Sequence, residues 1–225
     1  MGVFSFILNW VFPRFCLGCG REGLNICADC FEILTIQDEQ VCPHCRRENG
    51  TGAFCRDKCG RNYYFDQLIV ALPYDRHGLL KKLIVGFKYK FVGEIGCILA
   101  NILWEKLEFH KGERPIVVPV PLDENKLKKR GFNQAKVLAE KLGLPVWDCL
   151  GRKFNPQRQA DLGRAGRLKN MAGLFYLQAE FGLAGRNIII VDDVATTCTT
   201  LNECSKVLKT AGVKHICGLV LGRGK

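Results

Sequence analysis

Asn187-Ile188-Ile189-Ile190-Val191-Asp192-Asp193-Val194-Ala195-Thr196-Thr197-Cys198-Thr199-Thr200-Leu201 decides the fold. The run from Ile188 to Val191 is apolar without alternation, as expected of a central parallel strand covered on both faces. That strand is predicted over 187–191, and a helix follows over 201–210. Between them, two carboxylates arrive at the strand's carboxyl end and a run of small hydroxyl residues opens the helix. A helix amino terminus presents unpaired N–H groups and a positive dipole end, and threonine hydroxyls add donors, so the turn suits a phosphate. Asp192 and Asp193 would repel that phosphate unless they face other chemistry, such as sugar hydroxyls or Mg²⁺-bound water. A phosphorylated ribose satisfies both halves. An ordinary capped helix after a core strand leaves the paired acids unexplained.

Outward from this stretch, strand-like and helical patterns alternate. Strands are predicted at 64–72, ending at Pro73, at 116–121, closed by prolines, and at 216–221. Helices are predicted at 77–89, 91–107 and 133–142, the last ending at Gly143. Such alternation implies an α/β fold with a mostly parallel sheet flanked by helices. Composition changes near residue 60, so residues 1–60 are expected to form a separate small module and 61–225 the α/β domain.

Eight of the thirteen cysteines fall in that module: Cys16, Cys19, Cys27, Cys30, Cys42, Cys45, Cys55 and Cys59. A CxxC turn places two thiolates on one side of a tight loop, and two such turns complete a tetrahedral Zn²⁺ shell. With little apolar sequence, the module needs a metal to fold. Sequential pairing of the turns, a cross-braced arrangement and a single occupied site all remain open; redox CxxC chemistry is the competing reading. All-thiolate ligation leaves no open position, so the zinc is expected to be structural. Gly18 and Gly20 suit the backbone angles of the first turn, and His44 is expected near a metal shell rather than in it.

The net charge is +11, unevenly placed. Residues 1–60 sum to −1, whereas 125–170 holds twelve basic and three acidic residues. Such a field attracts phosphate-bearing partners, small or polymeric. The paired cysteines and the lack of a secretory signal argue against a secreted disulfide scaffold and for a cytoplasmic protein. The apolar start, Val3 to Phe12, is far short of the ~20 residues a spanning helix needs. It is expected to be a helix packed on the protein body.

The stretch from Ile189 to Thr200 resembles the fingerprint of type I phosphoribosyltransferases. Further segments resemble the ComF competence family: Val118-Pro119-Val120-Pro121-Leu122, Lys129-Arg130-Gly131-Phe132-Asn133-Gln134, Phe87-Lys88-Tyr89, and the series Gln159, Leu162, Arg167, Asn170 and Phe175. The paired-cysteine module in front is also the ComF arrangement, so the resemblance covers nearly the whole chain. It implies that Asp192 and Asp193, the catalytic candidates, contact the ribose hydroxyls of phosphoribosyl diphosphate. Ala195, Thr196, Thr197, Cys198, Thr199 and Thr200 would hold its 5′-phosphate, and Val120 and Pro121 would lie at the diphosphate loop, with Mg²⁺ on the leaving group. Lys129, Arg130, Arg152, Arg158, Arg164 and Arg167 would supply anion contacts, the arginines from 152 onward on a mobile loop.

Position 198 departs from the family, which commonly has Gly. If φ is positive there, Cys costs on the order of 1 kcal/mol. Alternatively the loop uses negative φ, or the thiol is reactive at the helix terminus. The resemblance implies a role in DNA uptake, with single-stranded DNA and competence helicase or recombination proteins as partners. A metabolic phosphoribosyltransferase using a base or amine acceptor, or a non-catalytic sugar-phosphate sensor, are the alternatives.

Overall fold

The computed structural model describes residues 14–34, 39–55, 58–75, 77–89, 92–107, 115–153, 173–178 and 182–224. In chain order the elements are α1 (Ala28–Glu32), β1 (Gln67–Leu72), α2 (Leu79–Tyr89), α3 (Val92–Lys106), β2 (Ile116–Pro119), α4 (Glu124–Arg130), α5 (Gln134–Lys141), β3 (Leu150–Arg152), β4 (Phe175–Leu177), β5 (Asn187–Ala195), α6 (Thr199–Thr210) and β6 (His215–Arg223). The expected amino-terminal helix and the segment carrying Arg158, Arg164 and Arg167 lie outside the described residues.

β1, β6, β5 and β2 form a sheet in that order, every neighbouring pair parallel. Strand side chains alternate between faces, and here each face has its own core. Ile189, Val191, Leu219 and Leu221 pack with Leu83 and Phe87 of α2, Leu99 and Leu103 of α3, and Leu138 of α5. Ile188, Ile190, Ile216 and Val220 pack with Leu201, Cys204 and Leu208 of α6, and with Leu150 and Phe175 of the antiparallel β3–β4 ribbon. Burial on both faces is why the isoleucine run does not alternate. Truncating Leu103, which is fully buried, to Ala should cost about 2–5 kcal/mol.

β5 extends four residues beyond the predicted Val191, because pairing with β6 continues through Asp192↔Val220 to Ala195↔Arg223. The two acids therefore sit inside the ladder's last turns rather than after it. Conversely, β1 begins at Gln67 rather than at residue 64, and β2 ends at Pro119. α5 starts where expected, because the Asn133 side chain accepts from the Ala135 N–H and so caps it.

The cysteine module lies along the outer edge of β1. The Gln40 side chain both donates to the Val70 carbonyl (3.0 Å) and accepts from the Val70 N–H (2.9 Å), acting as a strand residue would. Leu68 N–H donates to Gly52 O, and Ala53 bridges Gln67. A Cβ on Gly52 would stand 2.2 Å from the Leu68 carbonyl oxygen, so glycine alone permits this approach. The exposed sheet edge is thereby covered.

Candidate functional site

The eight cysteines resolve into two groups, Cys16/Cys19/Cys27/Cys30 and Cys42/Cys45/Cys55/Cys59, the sulfurs within each lying no more than 4.8 Å apart. Sequential pairing therefore holds, and the cross-braced alternative is excluded. Cys16–Cys27 and Cys19–Cys27 are separated by 3.7 Å, and Cys45–Cys55 by 3.5 Å. A tetrahedron with Zn–S bonds of about 2.3 Å has S–S edges of about 3.8 Å, so the donor set fits zinc. Each group also has one thiol prepared to ionise. Burial opposes ionisation at Cys16, but N–H groups of Cys19, Cys27 and Gly18 bring its pKa down to about 6. Likewise burial opposes it at Cys42, while N–H groups of Cys55, Cys45 and His44 bring it to about 6. Burial and neighbouring thiols push Cys30 up to about 12, and neighbouring thiols and burial do the same at Cys55. Holding four thiolates together requires a dication. His44 is exposed and meets the Tyr63 ring edge-on at 6.0 Å, outside the ligand set.

The two CxxC turns are structural copies. Cys16 N–H donates to Arg21 O and Gly20 N–H to Cys16 O; Cys42 N–H donates to Arg47 O and Arg46 N–H to Cys42 O. Gly20 has φ +79°, as expected, whereas Gly18 is glycine for another reason: a Cβ there would lie 2.6 Å from Cys30 Sγ. In the second copy the left-handed position is held by Arg46, at φ 62°. A non-glycine residue there costs about 1–2 kcal/mol.

At the carboxyl end of β5, Asp193 is buried and forms an ion pair with Lys88 of α2. Asp192 is partly exposed, and its side chain accepts from the Asp193 N–H at 2.8 Å. Enclosure by protein, and then the charge of Asp193, raise the Asp192 carboxyl well above its ordinary range, against the pull of the Asp193 N–H and Lys88. This role of Lys88 carries no local sequence signal, because Lys81, Lys82 and Lys90 lie in or beside the same helix.

Beyond the acids, Cys198 stands at φ 58°, so the positive-φ expectation holds. It is buried, and burial pushes its thiol up against the opposing charges of Arg223 and Arg46. Burial and the raised thiol both weigh against the reactive-thiol alternative. Among the described residues, no protein acceptor takes a hydrogen bond from the backbone N–H of Thr196, Thr197, Cys198, Thr199 or Thr200. The first helical bond inward is Asn202 N–H to Cys198 O. Thr197 and Thr199 share a hydroxyl–hydroxyl bond of 2.8 Å, tying the two sides of the turn.

Val120 and Pro121 follow directly on the end of β2. Val120 N–H donates to Val191 O and its carbonyl accepts from the Asn133 side chain. Pro121 has no N–H, so these two residues offer shape rather than donors. A cleft of about 580 Å³ beside them is lined by Pro121, Leu122, Phe132, Lys136, Arg152 and Tyr176 among others; Asp192, Asp193 and residues 195–200 are not in its lining. Lys129 and Arg130 lie on α4, not on a loop; α4 buries none of its seven residues and is closed by Gly131 at φ 80°. Arg130 donates to Gln134 at 2.9 Å and lies 5.4 Å from the Tyr89 ring centre, while Phe87 and Phe132 are 5.8 Å apart. The two segments around residues 88 and 131 are thus one patch. Arg152 is anchored rather than free: its side chain is 7% exposed, 4.0 Å from Asp123 and over the Phe175 ring.

Comparison with known proteins gives two domain matches: a phosphoribosyl transferase domain over residues 94–224 and a double zinc ribbon domain over 7–60. Competence protein ComFC of Bacillus subtilis is 28% identical over 84% of this chain and 79% of its own length. DNA utilization protein YhgH of Escherichia coli is 29% identical over 90% of this chain and 91% of its own. A hypoxanthine phosphoribosyltransferase from Staphylococcus aureus superposes with TM-score 0.37 and 12% identity, over 58% of this chain and 66% of that one. No helix among the described residues is long and apolar enough to cross a membrane.

Proposed function

Because the chain belongs to the phosphoribosyl transferase domain family, with a double zinc ribbon ahead of that domain, we propose that it is a ComF-type protein that binds phosphoribosyl diphosphate and acts in the handling of incoming DNA. The observation that carries the sugar-phosphate half is the set of five backbone N–H groups at 196–200 without protein acceptors among the described residues, beside two adjacent acids of which Asp193 is paired with Lys88. An anion entering this turn completes donors that the fold leaves over. The DNA half follows the competence and DNA-utilization relatives, and the exposed basic face of α4 (Lys128, Lys129) gives it an electrostatic surface.

In this reading residues 1–60 are a structural metal module and 61–225 the binding domain. Thr196 to Thr200 seat the 5′-phosphate, and the partly exposed Asp192 accepts from a ribose hydroxyl. Asp193, neutralised by Lys88, fixes the geometry beside it. Val120 and Pro121 shape the neighbouring turn, and Lys129 lies within reach of a polyanion. Mg²⁺ bound with the ligand would neutralise the diphosphate as it leaves. The strained Cys198 in place of glycine favours slow turnover, which would make sensing of the sugar phosphate the main role.

Calorimetric titration with phosphoribosyl diphosphate and Mg²⁺ tests the reading. Saturable binding that weakens at least tenfold in Asp192→Asn/Asp193→Asn supports it, whereas equal binding by both chains, or none by either, defeats it. Diphosphate release on adding bases or amines separates an enzyme from a sensor. A gel shift with single-stranded DNA at ~50 mM salt, where electrostatic affinity is greatest, tests the DNA half.

A further inference from the structure

We propose that the second metal knuckle, Cys42 to Arg46, is the back wall of the phosphate turn, so that the folded, metallated ribbon positions the sugar-phosphate site through Arg46 and Arg223. This inference rests on the binding role proposed for that turn.

The contacts run in one direct line. Arg46 Nη2 donates to the Gly224 carbonyl at 3.3 Å, and Arg223 Nη2 donates to the Pro43 carbonyl. On the other side of the same dipeptide, Gly224 N–H donates to Ala195 O at 2.9 Å, and Arg223 is in register with Ala195. A Cβ on Gly224 would lie 3.0 Å from Thr196 Cγ2, so the glycine backbone rests directly on the first threonine of the turn. Knuckle, Arg223-Gly224 and Ala195-Thr196 are therefore three layers in contact. The charges of Arg46 and Arg223 both act on Cys198, at the centre of the turn.

The knuckle itself carries the mark of this use. Its twin has Gly20 at the left-handed position, where glycine is free of strain. The second copy has Arg46 there, and what distinguishes Arg46 is its bond to Gly224. Backbone strain held where a contact is made points to a function for that contact. With eight thiols that fit zinc, the metal's part is to keep the 42–46 loop closed so that the Pro43 carbonyl and the Arg46 side chain stay on the strand end.

Arg46→Gly is the decisive variant, because it restores the twin's residue and should fold and retain metal. Metal content measured by release into a chromogenic chelator should equal that of the unaltered chain. Two readouts should move: affinity for ribose 5-phosphate should fall about fivefold or more, and exchange of the Gly224 amide should quicken about tenfold. Arg47→Ala, which removes the same charge next door, should change neither. Unaltered exchange and affinity in a fully metallated Arg46→Gly would overturn the coupling. The exchange measurement needs no ligand, so it decides the coupling even should the unaltered chain bind no sugar phosphate, a result that would instead defeat the function proposed above.

Discussion

Lys88 and Asp193 form a buried ion pair whose side chains are only 19% and 8% exposed. Removing one partner of such a pair leaves an uncompensated charge in the protein and costs about 3–5 kcal/mol. Lys88→Met keeps much of the mostly buried aliphatic stem but deletes the ammonium, so its cost isolates the charge. Taking the lower end, about 3 kcal/mol, and about 2–4 °C per kcal/mol for a chain of this size, the melting temperature should fall by about 6–12 °C at pH 7. Asp193→Asn should cost a similar amount. The double variant should lose clearly less than the sum of the two, because neither charge is then stranded. Thermal unfolding of all four chains with zinc kept saturating gives the cycle. Single losses under about 1 kcal/mol, or strict additivity, would refute the claim that Lys88 neutralises Asp193.

Asp192→Asn should stabilise the protein at neutral pH. The folded chain raises this carboxyl well above its ordinary value of 3.8, so between the two values it binds more protons than the unfolded chain and stability falls as pH rises. The amide carries no such penalty; urea midpoints should favour the variant at pH 7 and converge as the pH approaches 3.8. At Cys198, with φ 58°, Cys198→Gly should be about 1 kcal/mol more stable than Cys198→Ala, because only alanine retains the left-handed strain; the reverse order in denaturant titrations would count against that strain. Gly18→Ala places a Cβ 2.6 Å from Cys30 Sγ and should lower the metal content of the first cysteine group while sparing the second, as read by chelator-release stoichiometry.

The isoleucine run, the strand–helix alternation and the cysteine pairs were legible because each follows from a local pattern. Burial on both faces leaves an unbroken apolar strand, and helix 133–142 announced its end through Gly143. What escaped depends on partners distant in sequence. Periodicity ends β5 at Val191, since only its pairing with β6 shows the ladder continuing past two acids. α4 has no apolar stripe, because it buries nothing, and the β3–β4 strands are three residues each, too short to show alternation. Lys88 and Asp193 lie 105 residues apart, and no local rule joins them. The four cysteine pairs could be counted in advance, but their division into two groups of four depends on how the loops between them fold. The Cys198 departure was readable as strain, whereas the matching strain at Arg46 emerged only when its turn overlaid that of Gly20.

The most direct measurement is an amide-resolved NMR titration of the zinc-loaded chain with ribose 5-phosphate. Saturable shifts concentrated at the N–H resonances of Thr196 through Thr200, reproduced by phosphoribosyl diphosphate with Mg²⁺, are the expected result. Binding that leaves those five resonances in place while moving others would place the phosphate elsewhere and contradict the account.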